Sequence, residues 1–91
     1  MEKVLVQKYG RKAFDAMEDF RPYIGMPEGI VREYKLVMQD VNFHAYGFVR
    51  VEYGYKVYLP TQFFATTASY INARFPRAIY TKNGKVAVIK W

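Results

Sequence analysis

The chain of 91 residues has no cysteine, a single histidine, a single serine, a single tryptophan, and no acidic side chain after Glu52. Without cysteine there are no disulfides and no thiolate metal ligands, which suits a reducing, cytoplasmic setting. His44 among scattered carboxylates has no metal-ligand spacing. No apolar run approaches the roughly 18 residues of a membrane span. Glu2 and Lys3 precede a run too short for a secretory signal, so a soluble, unprocessed chain without a membrane partner is expected. Catalysis has little to work with. Ser69, His44 and Asp40 could in principle form a triad, but no nucleophile-elbow glycines surround Ser69. Arg11, four residues before Asp15, and Arg21, three after Glu18, explain the acids of 15–19 as surface ion pairs rather than a metal site. The expectation is a protein that is not an enzyme and takes no cofactor and no metal.

What is present is apolar and aromatic surface, 52% and 19% of residues, enough for one domain over 1–91 to build a core without staples. Charge is unevenly placed. Residues 1–40 carry seven basic and seven acidic groups. Residues 41–91 carry Arg50, Lys56, Arg74, Arg77, Lys82, Lys85 and Lys90 against Glu52 alone, so the whole net charge of +6 lies there. Such asymmetry concentrates positive potential and points to a polyanionic partner. The plainer alternative is a solvated basic face that keeps the protein soluble.

Lys3 to Tyr9 is short and rich in β-branched residues and reads as a strand, with a helix running on toward Phe20 as the alternative. Ala13, Phe14, Ala16, Met17 and Phe20 follow helical spacing from Arg11 to Phe20. Pro22, Gly25, Pro27 and Gly29 then make a loop, in which Tyr23 to Pro27 is either an exposed contact tip or, as small domains usually need, a plug in the core. Residues 30–38 alternate as a strand. Residues 43–59 alternate likewise, with a three-residue turn at Tyr53-Gly54-Tyr55 pairing Val51 with Val57 and Glu52 with Lys56. A turn at Asp40 and Val41 pairs Met38 with Phe43, and a three-stranded meander results. Pro60 opens a second helix whose stripe is Phe63, Phe64, Thr67, Ala68, Ile71 and Phe75, ended by Pro76. Asn83-Gly84 marks a hairpin of strands 77–82 and 85–90, with Lys82 facing Lys85 and Arg77 facing Lys90. The fold class is α+β: a mainly antiparallel sheet, made of the central meander and the C-terminal hairpin, with two helices packed on one face.

The segment His44-Ala45-Tyr46-Gly47-Phe48-Val49-Arg50-Val51 resembles the first ribonucleoprotein signature of the RNA recognition motif family, which reads Lys/Arg, Gly, aromatic, Gly/Ala, Phe, Val, any, aromatic. Tyr46 to Val49 fit it; His44, Ala45 and Val51 depart. The expected element order is similar to that family's, with Val4-Leu5-Val6 where its second signature would lie. The resemblance implies RNA binding on a sheet face. Alternation agrees, sending Val49 and Val51 inward and leaving Tyr46 and Phe48 outward, where stacked bases contribute about 1–3 kcal/mol each.

Two functions of different class follow. The first is a non-catalytic module for RNA or single-stranded DNA. Tyr46 and Phe48 stack bases, His44 stacks or touches a phosphate, and Lys35, Arg50, Arg74, Arg77, Lys82, Lys85 and Lys90 hold the backbone. The second is a small protein–protein interaction or inhibitor protein, of viral or accessory type or a homodimer, setting tyrosines and arginines against an acidic protein surface.

Overall fold

Leu5 and Tyr9 stand four residues apart, and in the computed structural model, which describes residues 1–91, both turn toward the core from a helix, α1 (Glu2–Tyr9). The strand expected at 3–9 is corrected accordingly. Val4 and Val6 have no neighbouring strand to pair with, so β-propensity is overridden and burial of Leu5 decides the conformation. Gly10, at φ 92°, turns the chain into α2 (Arg11–Glu18), which buries Ala13, Phe14 and Met17. The helical alternative toward Phe20 is thus two short helices broken at Gly10.

A second correction concerns residues 30–38. Ile30, Val31 and Tyr34 are all buried, a spacing that suits a helix, and α3 (Glu28–Glu33) takes the first part of the expected strand. Only β1 (Lys35–Met38) remains extended, paired with β2 (Val41–His44) through a turn at Gln39 and Asp40, both at positive φ. That turn lies one residue earlier than expected, so Met38 faces Val41 and Leu36 faces Phe43. The meander is also corrected: β1 and β2 form their own two-stranded sheet. The chain leaves it at buried Ala45 and enters a four-stranded antiparallel sheet of β3 (Tyr46–Glu52), β4 (Tyr55–Pro60), β5 (Ala78–Lys82) and β6 (Lys85–Lys90), in that order.

Tyr53 and Gly54, both at positive φ, make a two-residue turn, so Glu52 faces Tyr55, Val51 faces Lys56 and Arg50 faces Val57. The three-residue turn expected there would shift each pair by one. Asn83 and Gly84 make the same kind of turn, and Lys82 faces Lys85 as expected. A bulge beside Tyr80 then shifts the register by one, so Lys90 faces Ala78 and not Arg77. The helix after β4 starts later than expected: Pro60 still belongs to β4, and the Thr61 hydroxyl accepts the Phe64 N–H at 3.3 Å to cap α4 (Gln62–Tyr70). Of the expected stripe, Phe64, Ala68 and Phe75 are buried, while Phe63 and Ile71 are exposed.

Helices and sheet meet in one cluster, in which Leu5, Phe14, Met17, Ile30 and Phe64 pack on the sheet residues Tyr46, Tyr58, Ile79 and Val86. The architecture is therefore α+β, an antiparallel sheet with four helices rather than two. The loop expected to run to Gly29 ends at Pro27, where α3 begins; Met26 plugs the core from it, while its tip, Ile24, is exposed. No helix is long and apolar enough to cross a membrane.

Tyrosine hydroxyls tie the layers together. Tyr58, on β4, donates to the buried Glu28 carboxylate at 2.6 Å, with Lys56 at 3.7 Å and Arg32 at 3.9 Å. Tyr34 donates to Glu18 and Tyr9 to Glu33. A hydrogen bond to a buried charge contributes about 1.5–3 kcal/mol, so Tyr58→Phe should lower the unfolding free energy by that much in urea titration. Tyr53→Phe, at the exposed turn, should change it by less than about 0.5 kcal/mol.

Burial first, and then the carboxylate acceptors, raise the pKa of Tyr9, Tyr34 and Tyr58 above the usual value; burial alone raises Tyr46. A raised folded-state pKa favours the protonated form, so these groups contribute stability that is complete below the unfolded value of about 10 and falls as pH rises beyond it. The urea midpoint should decline above that pH, with tyrosinate absorbance growing as the chain unfolds. A midpoint that stays constant to about pH 12 contradicts this account.

Candidate nucleic-acid interface

Directly paired residues of an antiparallel sheet share a face, so the register sorts the two faces of the four-stranded sheet. Tyr58, Ile79 and Ile89 line up across the inner face, as do Lys56, Thr81 and Val86. On the outer face one row runs Arg50, Val57, Tyr80, Val88. The row toward the turns pairs Glu52 with Tyr55 and Lys82 with Lys85, and Ala78 with Lys90 lies toward the opposite end. None of these outer residues belongs to the core cluster.

Val57 is nonetheless wholly buried. Arg50 on one side and Tyr80 on the other stand directly opposite it in the ladders. The Tyr55 and Tyr80 rings meet edge to face with centroids 6.4 Å apart. The Lys82 ammonium lies 5.0 Å from the Tyr55 centroid, and the Lys90 ammonium 4.9 Å from that of Tyr80. Arg50 Nε donates to Glu52 at 2.9 Å, and this carboxylate is the main reason its guanidinium pKa is raised. Lys82, Lys85 and Lys90 have no carboxylate partner within ion-pair distance, unlike Lys8, Arg11 and Arg32 of the helical layer. The outer face thus holds two tyrosine rings among four cations, with Glu52 as its one acid.

The site expected from the sequence is only partly assembled. Arg50, Lys82, Lys85 and Lys90 come together on the outer face. Tyr46 does not. It faces inward, 2% exposed, donates its hydroxyl to the Pro76 carbonyl at 2.8 Å, and packs on Phe64 with centroids 5.4 Å apart. Phe48 also turns to the inner side, edge to face with Tyr58 at 5.9 Å, and is half exposed only because β3 is an edge strand. The bulge between Phe48 and Arg50 separates the two halves of β3. Before it Tyr46 and Phe48 face inward against expectation. After it Arg50 faces outward and Val51, paired with Lys56, lies on the inner side as expected, although Val49 and Val51 are both exposed rather than packed in the core.

Lys35 and His44 pair with each other on the separate β1–β2 ladder, beside a groove that also includes Val4 and Arg32. The Arg77 guanidinium sits 4.5 Å from the Phe75 centroid, and that of Arg74 5.3 Å from Trp91. Arg74 and Trp91 line a groove with Asp19, Phe20, Arg21 and Ala73. These side chains lie apart from the ring pair of the outer face.

Tyr55 and Tyr80 are the functional candidates that sequence reasoning missed. Tyr80 stands two residues before Lys82 and so shares its face, and a two-residue turn at Tyr53-Gly54 puts Tyr55 opposite Glu52. Comparison with protein-family models, with curated proteins and with solved structures finds no match for the chain.

Proposed function

We propose that the outer face of the four-stranded sheet is a non-catalytic binding surface for RNA or single-stranded DNA in the cytoplasm. The observation that carries this reading is the grouping of Arg50, Lys82, Lys85 and Lys90 around Tyr55 and Tyr80, with three of the four cations free of any acid. Unpaired single strands offer bases to stack on tyrosine and a phosphate beside each base for lysine or arginine. A duplex hides its base faces and would leave the rings unused. The octapeptide that resembles the RNA recognition motif signature does not support the reading, because its aromatic pair is turned inward and Arg50 stands at the position that the signature leaves open.

With four phosphate contacts, the logarithm of the affinity for a fluorescent ten-nucleotide oligouridine should fall against the logarithm of salt with a slope of about −3. Lys82→Gln with Lys90→Gln should make that slope shallower by about 1 to 1.5. Tyr55→Ala with Tyr80→Ala should weaken binding at fixed salt by at least about tenfold, whereas Lys35→Gln with His44→Gln should leave it unchanged. A flat salt series, or indifference to the loss of both rings, overturns the reading.

A further inference from the structure

The two edges of the four-stranded sheet are finished differently. The β6 edge is covered by the chain itself: Gly25 N–H donates to the Val86 carbonyl, Val86 N–H to that of Met26 and Glu28 N–H to that of Gly84, each at 2.8 Å. The β3 edge pairs with β4 alone. Along it Phe48 is 52%, Val51 62% and Tyr53 93% exposed. An apolar, uncovered edge strand is a template for another strand, and natural sheets rarely leave one bare.

The hairpin geometry says which backbone groups are free. A two-residue turn of this kind closes on a hydrogen-bonded pair, here Glu52 with Tyr55, so the N–H and C=O of Glu52 point to β4. Those of Val51, one residue earlier, point away from the sheet. Val51 is flanked by Arg50 and Glu52, opposite charges side by side on the outer face and already 2.9 Å apart. Their sequence is self-complementary about Val51. An antiparallel copy centred there sets Val51 against the second copy's Val51 in a doubly hydrogen-bonded pair. The same centre places Arg50 against the second copy's Glu52, and Glu52 against its Arg50. Slipping the register by two residues in either direction brings Glu52 against Glu52 or Arg50 against Arg50, and loses the alternation of charge. A shift by one residue mismatches the two faces.

The geometry points to a second copy of this chain as the occupant of the β3 edge, joined about a two-fold axis through Val51 into one eight-stranded sheet. The axis stands perpendicular to the sheet, so both outer faces lie on the same side. The exposed Tyr53 ring then reaches Val49 of the second copy across the junction. The bulge at Val49 keeps the paired stretch short, so exchange with monomer is expected. This pairing does not depend on what the outer face binds.

Sedimentation velocity of the full 91-residue chain without nucleic acid, over about 10 μM to 1 mM, should show a monomer–dimer equilibrium. Arg50→Glu sets Glu against Glu, and Glu52→Arg sets Arg against Arg; each alone should weaken dimerisation at least about tenfold. An equimolar mixture of the two variants restores both opposite-charge pairs and should dimerise again. Far-ultraviolet circular dichroism of each variant checks that these exposed changes leave the fold intact. A chain that stays monomeric throughout the range, a dimer that persists in both variants, or a mixture that does not recover overturns the inference.

Discussion

The two-residue turn at Tyr53 and Gly54 is the constraint on which the rest of the sheet depends. Because side chains alternate along a strand with period two, one residue more or fewer in this turn would exchange the faces of β3 relative to β4. As built, it gives Tyr58 to the core and Val57 to the outer face. The bulge beside Arg50 then corrects β3 once more, so that Phe48 faces inward with Tyr58 while Arg50 faces outward with Val57. Gly54 tolerates positive φ at no cost, whereas Tyr53 adopts it against the usual preference of a bulky side chain, a strain of about 1 kcal/mol that the flanking ladder must hold.

The layers explain where the charge goes. Acids of the helical part are nearly all engaged: Glu2 and Asp15 by Arg11, Glu18 by Tyr34, Glu28 by Tyr58 and Glu33 by Tyr9 and Lys8. Tyrosine suits this task, since its ring fills core volume and its hydroxyl carries a hydrogen bond to a carboxylate that would otherwise be costly to bury. The C-terminal hairpin has no acid to offer, so its lysines are left with rings and water. The split of charge between the two parts of the chain is thereby also a split between the helical layer and the outer face of the sheet.

How much of this was legible in the sequence follows from the range of the forces involved. Local chemistry was readable: Asn83-Gly84 implied its turn and the strands β5 and β6 on either side, alternation implied β4, and the spacing from Ala13 to Met17 implied α2. What escaped was decided by distant partners. Val4 and Val6 argue for a strand until α1 is seen to rest Leu5 on the core, and the alternation at 30–34 argues for one until Ile30, Val31 and Tyr34 are seen buried together. The octapeptide misled about Tyr46 for a related reason. A short run specifies residue types and not which side of the sheet the helices cover, and Phe64 and Pro76 claim that ring from the inner side. The cations of the outer face were found because charge survives such errors of register, while its rings were lost because they do not.

The free outer face is not idle. Lys82 faces Lys85, and like charges directly opposite on a sheet repel. Placing the Lys82 ammonium over Tyr55 offsets part of that repulsion, by about 0.5–1 kcal/mol for an exposed cation–ring contact, and Lys90 lies over Tyr80 in the same way. On the reading proposed above, a base can reach either ring only if the lysine over it moves away. Binding then exchanges a cation–ring contact for a stacked base plus a contact between the displaced ammonium and a phosphate. Stacking at about 1–3 kcal/mol exceeds what is given up. Each ring and its lysine therefore act as one unit, and truncating the ring also removes the support that holds the cation in place. Loss of Tyr80 should for that reason weaken the response to salt as well as the affinity, which distinguishes a coupled ring and cation from two independent contacts.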